Sequence, residues 1–361
     1  MSIYQFEILN KLGEGAFSSV YKVRRKSDGQ IYALKKVKFA PMNYREKENA
    51  LNEVRILASI DHPNIIAYKE AFFDEGTSSL CIVMEYAEGG DLLNKIENCK
   101  KRSIYFTENE ILSTLAQTIR GLKALHDLKI LHRDIKCANI FLTANGTVKI
   151  GDLNVSKVNK GGLAYTQTGT PYYASPEVWQ DKPYNSSSDI WSLGCVIYEM
   201  TTLRPPFTGV DMKALYRKVI KGLYQPIPVN FSAELSNVIK MMLQIRPNAR
   251  PSCEKLLEMP FALRERNFKY NAEADSELLN TIKFEPSMKV LSNRLPGPNY
   301  ERRGRGLSAR GSKEELDKEN QVNTQKLRDA LSSDPERHVK LRQGLQKNRV
   351  RLPLIPLPKP F

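Results

Sequence analysis

His132-Arg133-Asp134-Ile135-Lys136-Cys137-Ala138-Asn139 is the most chemically loaded stretch of the chain, with an acid, two cations and a carboxamide within eight residues. Its meaning depends on what stands on either side. Near the N-terminus, Leu12-Gly13-Glu14-Gly15-Ala16-Phe17-Ser18-Ser19-Val20 lies between two strand-like runs, Tyr4 to Leu9 and Val20 to Val23. That context predicts a hairpin, not the strand-then-helix setting of a dinucleotide fingerprint. Gly13 and Gly15 carry no Cβ, so backbone amides there can approach phosphate oxygens. Ile31-Tyr32-Ala33-Leu34-Lys35 follows as a strand. Leu51, Val54, Leu57 and Ala58 then recur at helical spacing between Glu48 and Ile60, with Glu53 beside the stripe. Leu80-Cys81-Ile82-Val83-Met84 reads as a buried strand running into Glu85-Tyr86-Ala87-Glu88-Gly89-Gly90-Asp91-Leu92. Downstream of the opening stretch, Asn145-Gly146 turns two short strands, and Gly151-Asp152-Leu153-Asn154 adds a second acid.

In this order the segments resemble a protein kinase over roughly Tyr4 to Ala262. The resemblance implies an α+β, two-lobed fold. A small antiparallel-sheet lobe with one main helix (about 1–84) joins through a hinge (85–90) to a larger, mainly helical lobe (91–262), and a basic, mostly disordered tail (263–361) follows. It also implies ATP and Mg2+, with Mn2+ as an alternative. Residues Leu12 to Val20 would cover the phosphates, Ser18 standing where a third glycine is usual. Lys35 would neutralise the α and β phosphates, held by Glu53 in an ion pair. Lys36 and Lys38 leave a plain solvated basic strand as the competing reading, which the helix carrying Glu53 disfavours. Ala33 and Val20 would roof the adenine and Phe141 would floor it. Met84 would gate the pocket behind, and main-chain groups of Glu85 and Ala87 would bond the base edge. Asp134 is the candidate catalytic base, Lys136 balances charge on the transferring phosphoryl group, and Asn139 and Asp152 hold the metal. Lysine at 136 is the serine/threonine-kinase pattern, and His132 supports the loop by packing. The usual Asp-Phe-Gly appears as Asp152-Leu153-Asn154. Asn is the non-glycine residue that best tolerates left-handed backbone angles. Because Lys35, Asp134 and Asp152 are all present, an active enzyme is expected; the alternative is a nucleotide-binding pseudokinase scaffold.

Between Asp152 and Glu177 the chain resembles an activation loop, with Thr166, Thr168 and Thr170 as its threonine options. Thr166 is the phosphosite candidate, with Arg133 as charge partner for the phosphate, and Thr170 would line the substrate pocket. Ser188 to Val196 resembles the buried helix that anchors the catalytic loop through Asp189, and Arg250 should pair with Glu177. Lys136 to Phe141, Thr168 to Tyr173 and Ser175-Pro176-Glu177 are similar to the NIMA-related (Nek) kinases. The Asp-Leu-Asn variant followed by Val155-Ser156-Lys157 resembles members from ciliated protists and algae. The family implies protein substrates and work in the cell cycle, at centrosomes or basal bodies, or in cilia, from a cytoplasmic or cytoskeletal location with the nucleus as a further option.

Composition sets outer bounds. The five cysteines are odd in number and scattered, which points to reduced thiols in a cytosolic or nuclear setting. The four histidines lack metal-ligand spacing. Met1 to Asn10 shows no signal-peptide pattern, and no apolar run nears the ~18 residues of a membrane span, so no membrane association is expected. The net charge is +15, and residues 263–361 contribute +8 of it, with 21 Lys+Arg against 13 Asp+Glu. This tail contains Leu295-Pro296-Gly297-Pro298, Arg302-Arg303-Gly304-Arg305 and a Pro-rich end, a composition that favours disorder. Leu316, Val322, Leu327 and Leu331 make a poor heptad, which leaves dimerisation open. Two readings of the tail stand together: a solvated extension, or a basic segment that docks on acidic surfaces such as those of microtubule, centrosome or basal-body proteins. Nucleic acid is not an expected partner.

Overall fold

A computed structural model of the chain describes residues 2–15, 18–39, 41–152, 171–264, 273–274, 295–296 and 298–300. Ala16, Phe17, Leu153, Asn154, Thr166, Thr168, Thr170 and the suggested helix from Glu314 to Leu331 lie outside the described residues.

Alternating burial builds the small sheet. Along Ser18–Arg25 (β2) and Ile31–Lys38 (β3), Val23, Tyr32 and Leu34 are buried together on one face with the period-two spacing of a strand, while Val37, of the opposite parity, is buried on the other face in the main core. With Phe6–Glu14 (β1) these strands form the hairpin that the glycines suggested. Tyr44–Ser59 (α1) buries Leu51, Val54 and Leu57 at the expected helical spacing. It leads into the two-residue strand Ile60–Asp61 (β4), then Tyr68–Asp74 (β5) and Ser79–Glu85 (β6). The sheet order is β1-β2-β3-β6-β5, antiparallel throughout. β6 has a neighbour on both edges and is buried almost without interruption, whereas β5 forms an edge.

The large lobe begins where the Asp91 side chain accepts from Asn94 N at the start of Leu92–Arg102 (α2). Glu108–Asp127 (α3) starts with a Thr107–Glu110 capping box, which satisfies two otherwise orphaned N–H groups. Ile140–Leu142 (β7) and Val148–Ile150 (β8) pair antiparallel, and Gly146 in their turn has φ +80°. Pro176–Trp179 (α4) precedes Ser186–Thr202 (α5), whose residues from Ser188 to Thr201 are all buried. A helix buried on every side belongs inside a core, its polar residues there being hydrogen-bonded, and Trp191 stacks on Phe207 at 5.3 Å. Met212–Lys221 (α6), Ala233–Met242 (α7), Cys253–Leu257 (α8) and Pro260–Arg264 (α9) complete the lobe. Among the described residues no helix is long and apolar enough to cross a membrane.

One packing contact positions the site directly. A Cβ on Gly121 of α3 would lie 2.7 Å from Asn64 O and 2.8 Å from Ile150 Cδ1. Asn64 O is itself the acceptor for Ile150 N, at 2.8 Å, so this glycine lets the helix sit against the strand that leads to Asp152. Alanine is normally worth about 1 kcal/mol more than glycine in a helix. Here Gly121→Ala should instead destabilise by about 1–3 kcal/mol through overpacking against backbone, read as a lowered thermal midpoint; an unchanged or raised midpoint would contradict the close approach.

The C-terminal extension is not wholly detached. Glu273–Ala274 (β9) pairs antiparallel with β4, Ile60 opposite Ala274 and Asp61 opposite Glu273. Pro296, Asn299 and Tyr300 bond to β5, as described below. The Pro- and Gly-containing sequence around them reads as linker because it lacks any periodicity, yet prolines also stiffen a segment that docks in extended form.

Candidate active site

Asp134 sits in a loop held from beneath by one buried carboxylate. Asp189 of α5 is fully buried. Its Oδ2 accepts from His132 N at 3.1 Å and its Oδ1 from Arg133 N at 3.0 Å. Tyr184 Oη donates to Oδ1 at 2.5 Å, and His126 Nε2 lies 2.8 Å from Oδ2. Burial pushes the Asp189 carboxyl up, but its bond to His126, with the charges and hydroxyl around it, carries it below the ordinary value. Arg133 has φ +67° and Asp152 φ +54°. A non-glycine residue in that region costs on the order of 1–3 kcal/mol and persists only where the surroundings over-determine it. The two amide bonds to Asp189 do that for Arg133. The anchoring role expected of Asp189 is therefore present, while His126 and Tyr184, its other partners, carried no signal in the sequence.

His132 is buried completely, and burial lowers its pKa. The neutral ring with its proton on Nε2 fits both of its contacts: Nε2 donates to Gly151 O at 3.0 Å, and Nδ1 accepts from Asp134 N at 3.3 Å. It thus ties the catalytic loop to the residue before Asp152, a supporting role and not a proton-transfer one.

Asp134, Lys136 and Asn139 converge. Lys136 Nζ donates to Asp134 Oδ2 at 2.9 Å. Asn139 Nδ2 donates to Asp134 O at 2.8 Å and to Asp134 Oδ2 at 3.2 Å. With its nitrogen committed inward, Asn139 keeps its carboxamide oxygen as the cation-binding end. Gly151 N donates to Asn139 O at 3.0 Å, which makes Asn139 and Asp152 spatial neighbours across 13 residues of sequence. Lys35 Nζ lies 2.7 Å from Asp152 Oδ1, and this ammonium holds the Asp152 carboxyl below its usual range. Glu53 is on α1, but its side chain lies outside the described ones. Among the described residues no group of three or more His, Cys, Asp or Glu forms a metal cage. One carboxylate and one carboxamide oxygen suit Mg2+, which is commonly held by one or two carboxylates together with substrate phosphates. The donor set fits a divalent cation held together with nucleotide phosphates.

The nucleotide-facing elements lie beside this cluster. The register places Val20 opposite Lys35 and Gly13 opposite Val20, so the glycine-bearing turn of Leu12, Gly13, Glu14, Gly15, Ser18 and Ser19 adjoins the Lys35 strand. Ala33 stands opposite Met84. Gly89 N donates to Leu142 O, and Leu142 N to Gly90 O, each at 2.8 Å, which runs the hinge alongside the strand carrying Phe141. Glu85 N donates to Ala67 O at 2.9 Å, which ties the start of the hinge to the segment before β5. Sequence reading missed that the Glu85 side chain is buried and paired with Lys149 Nζ at 2.9 Å, with Lys149 also donating to Pro63 O. This fastens the hinge to the strand that delivers Asp152.

The substrate side is fixed by two further networks. Arg250 binds Glu177 through both nitrogens, at 2.6 and 2.8 Å, as expected. Tyr173 Oη donates to Glu199 Oε2 at 2.5 Å, and Cys137 Sγ reaches the same oxygen at 3.3 Å. Burial raises the Glu199 carboxyl pKa.

A lysine on a small antiparallel sheet, a hinge over a short hairpin, and an acid-lysine-carboxamide loop anchored on a buried helix are the parts of a phosphoryl-transfer fold. The protein kinase domain model matches residues 6–262, and the chain belongs to that family. Similar proteins include human serine/threonine-protein kinase Nek5, 44% identical over 260 residues, which cover 71% of this chain and 36% of the relative. Mouse serine/threonine-protein kinase Nek1 is 42% identical over 283 residues, 77% of this chain and 23% of its own length. Probable serine/threonine-protein kinase nek2 of Dictyostelium discoideum is 42% identical over 261 residues, 71% of this chain and 62% of its own. Within the family, then, the chain groups with the NIMA-related kinases, and it spans between about a quarter and three fifths of these relatives' lengths.

Proposed function

We propose that the chain is an ATP-dependent serine/threonine protein kinase of the NIMA-related type, moving the terminal phosphoryl group of ATP to Ser or Thr hydroxyls of proteins. The observation that carries this reading is the convergence of Asp134, Lys136 and Asn139 with the Lys35–Asp152 pair. Asp134 orients the acceptor hydroxyl and receives its proton. Lys136 offsets charge on the moving group while fixing the Asp134 carboxylate. Lys35 neutralises phosphate oxygens from the sheet side. Asp152 and Asn139 would hold a divalent cation, Mg2+ in preference to Mn2+, which would supply neutralisation of phosphate charge. The pseudokinase alternative has no specific observation in its favour, because each group whose loss silences such a site is in place. The basic residues after 262 support docking on acidic cytoskeletal surfaces, such as those of microtubules, centrosomes or basal bodies, and hence a cytoplasmic, cytoskeleton-associated site of action. The test is radiolabel transfer from γ-labelled ATP and Mg2+ to casein by the full chain, with Lys35→Met as the blank. Labelling by the parent alone supports the assignment, and equal labelling by both proteins would overturn it.

A further inference from the structure

We propose that residues 295–296 and 298–300 of the C-terminal extension dock, within the same chain, onto the edge of the small-lobe sheet behind the hinge. The edge strand β5 has a register irregularity between Tyr68 and Glu70, and the segment attaches at that point. Asn299 N donates to Lys69 O at 2.6 Å, and Lys69 Nζ donates to Asn299 O at 3.3 Å. Tyr68 Oη donates to Pro296 O at 3.0 Å. An unpaired sheet edge is a template for another extended stretch, and here the chain supplies its own.

Tyr300 is the anchor. Its hydroxyl donates to Glu70 Oε2 at 2.6 Å, and Glu70 is 2% exposed. Glu70 Oε1 has no partner among the described residues, so Tyr300 is the donor that serves this buried carboxylate. A buried carboxylate left without any donor is costly. The ring is held from two further directions: the Arg25 guanidinium carbon lies 3.3 Å from its centroid, and Tyr32 meets it edge-on at 5.3 Å. Arg25 and Tyr32 are already tied together, since both bond Asp28, so the receiving surface is organised before the segment arrives. Burial, with the Glu70 carboxylate beside it, raises the phenol pKa and keeps the hydroxyl a donor. The segment is pre-shaped too. Leu295-Pro296-Gly297-Pro298-Asn299-Tyr300 has two fixed φ angles from proline, which lowers the entropy lost on docking. The residues it covers belong to the strands that carry the hinge, with Tyr32 opposite Glu85 and Tyr68 opposite Met84.

Amide hydrogen exchange of the full chain, resolved at Asn299, tests this. The Asn299 amide should exchange at least roughly tenfold more slowly than in a free peptide, a minimum expectation for one hydrogen bond plus an aromatic–cation contact. Tyr300→Ala should remove that protection and Tyr300→Phe should remove part of it, while amides of α5 stay protected in all three proteins. Protection independent of protein concentration supports docking within one chain. Free-chain exchange of Asn299 in the unaltered protein, survival of its protection in Tyr300→Ala, or protection that grows with protein concentration would each overturn the proposal.

Discussion

Asp134→Asn lowers kcat for phosphorylation of a Ser/Thr peptide by about 10²–10⁴-fold, the usual worth of a positioned general base. The substitution isolates chemistry from structure. The carboxylate accepts through Oδ2 from Lys136 and Asn139, and in the proposed reaction it also takes up the proton of the acceptor hydroxyl. A carboxamide oxygen at the same place can still accept both bonds, so the loop should keep its shape. It cannot take up the hydroxyl proton. Asp134 is partly exposed, with 22% of its side chain accessible, and its replacement leaves no uncompensated buried group. The thermal midpoint should therefore stay within ~2 °C of the parent, as for substitutions worth about ±0.5 kcal/mol. The KM for ATP should also hold, because the residues facing the nucleotide lie elsewhere. A kcat within threefold of the parent would remove Asp134 from the role of base. A collapse in thermal midpoint would show instead that its bonds to Lys136 and Asn139 are structural.

Much of this site was legible in the sequence because its residues act through short, ordered motifs. Asp134, Lys136 and Asn139 meet within one loop. Lys35 and Asp152 were expected from the series and are in contact. Asp189 and Glu177 were given partners from their neighbours in sequence, and Asp189 accepts from the loop amides while Glu177 pairs with Arg250. What remained hidden depends on distant pairing. His126 and Lys149 look like any helix or strand cation, yet one reaches Asp189 63 residues away and the other the buried Glu85 64 residues back. Tyr300 finds Glu70 across 230 positions, and nothing in a Pro-Gly-Pro run announces a binding face. Strain was equally unreadable: the positive φ of Arg133 is held by hydrogen bonds to Asp189 that only the assembled fold supplies.

Removing either partner of the Glu177–Arg250 pair destabilises the folded protein by about 3–5 kcal/mol, as expected when one member of a buried ion pair is left alone. Arg250 has a fully buried side chain, and that of Glu177 is 4% exposed. Beyond its two bonds to Glu177, Arg250 donates to Gln244 O at 2.7 Å, Ser187 O at 2.8 Å and Ile245 O at 3.0 Å, and its guanidinium sits 5.0 Å from the Trp191 ring. Every donor of the fork has a use, so Arg250→Lys should rescue little of what Arg250→Ala loses, because lysine offers three donors from one point and no planar face. At about 2–4 °C per kcal/mol for a domain near this size, Arg250→Ala should lower the thermal midpoint by roughly 6–20 °C. The pH dependence carries a definite sign. Burial raises the Glu177 carboxyl pKa, but the bonds from Arg250 and Ser188 outweigh it and hold the group below its ordinary value. A carboxylate depressed in the folded state contributes stability that is fully present above its unfolded pKa and lost as pH falls through the folded one. In Arg250→Ala burial acts on Glu177 without its main counterweight, so the gap between parent and variant should be fullest near pH 8 and narrow as pH falls towards and below the unfolded carboxylate pKa of about 4. Urea titrations of both proteins at pH 7 and pH 3 measure it. A gap that widens in acid, or a loss under 1 kcal/mol at pH 7, would mean the pair is not what holds the segment before α5 in place.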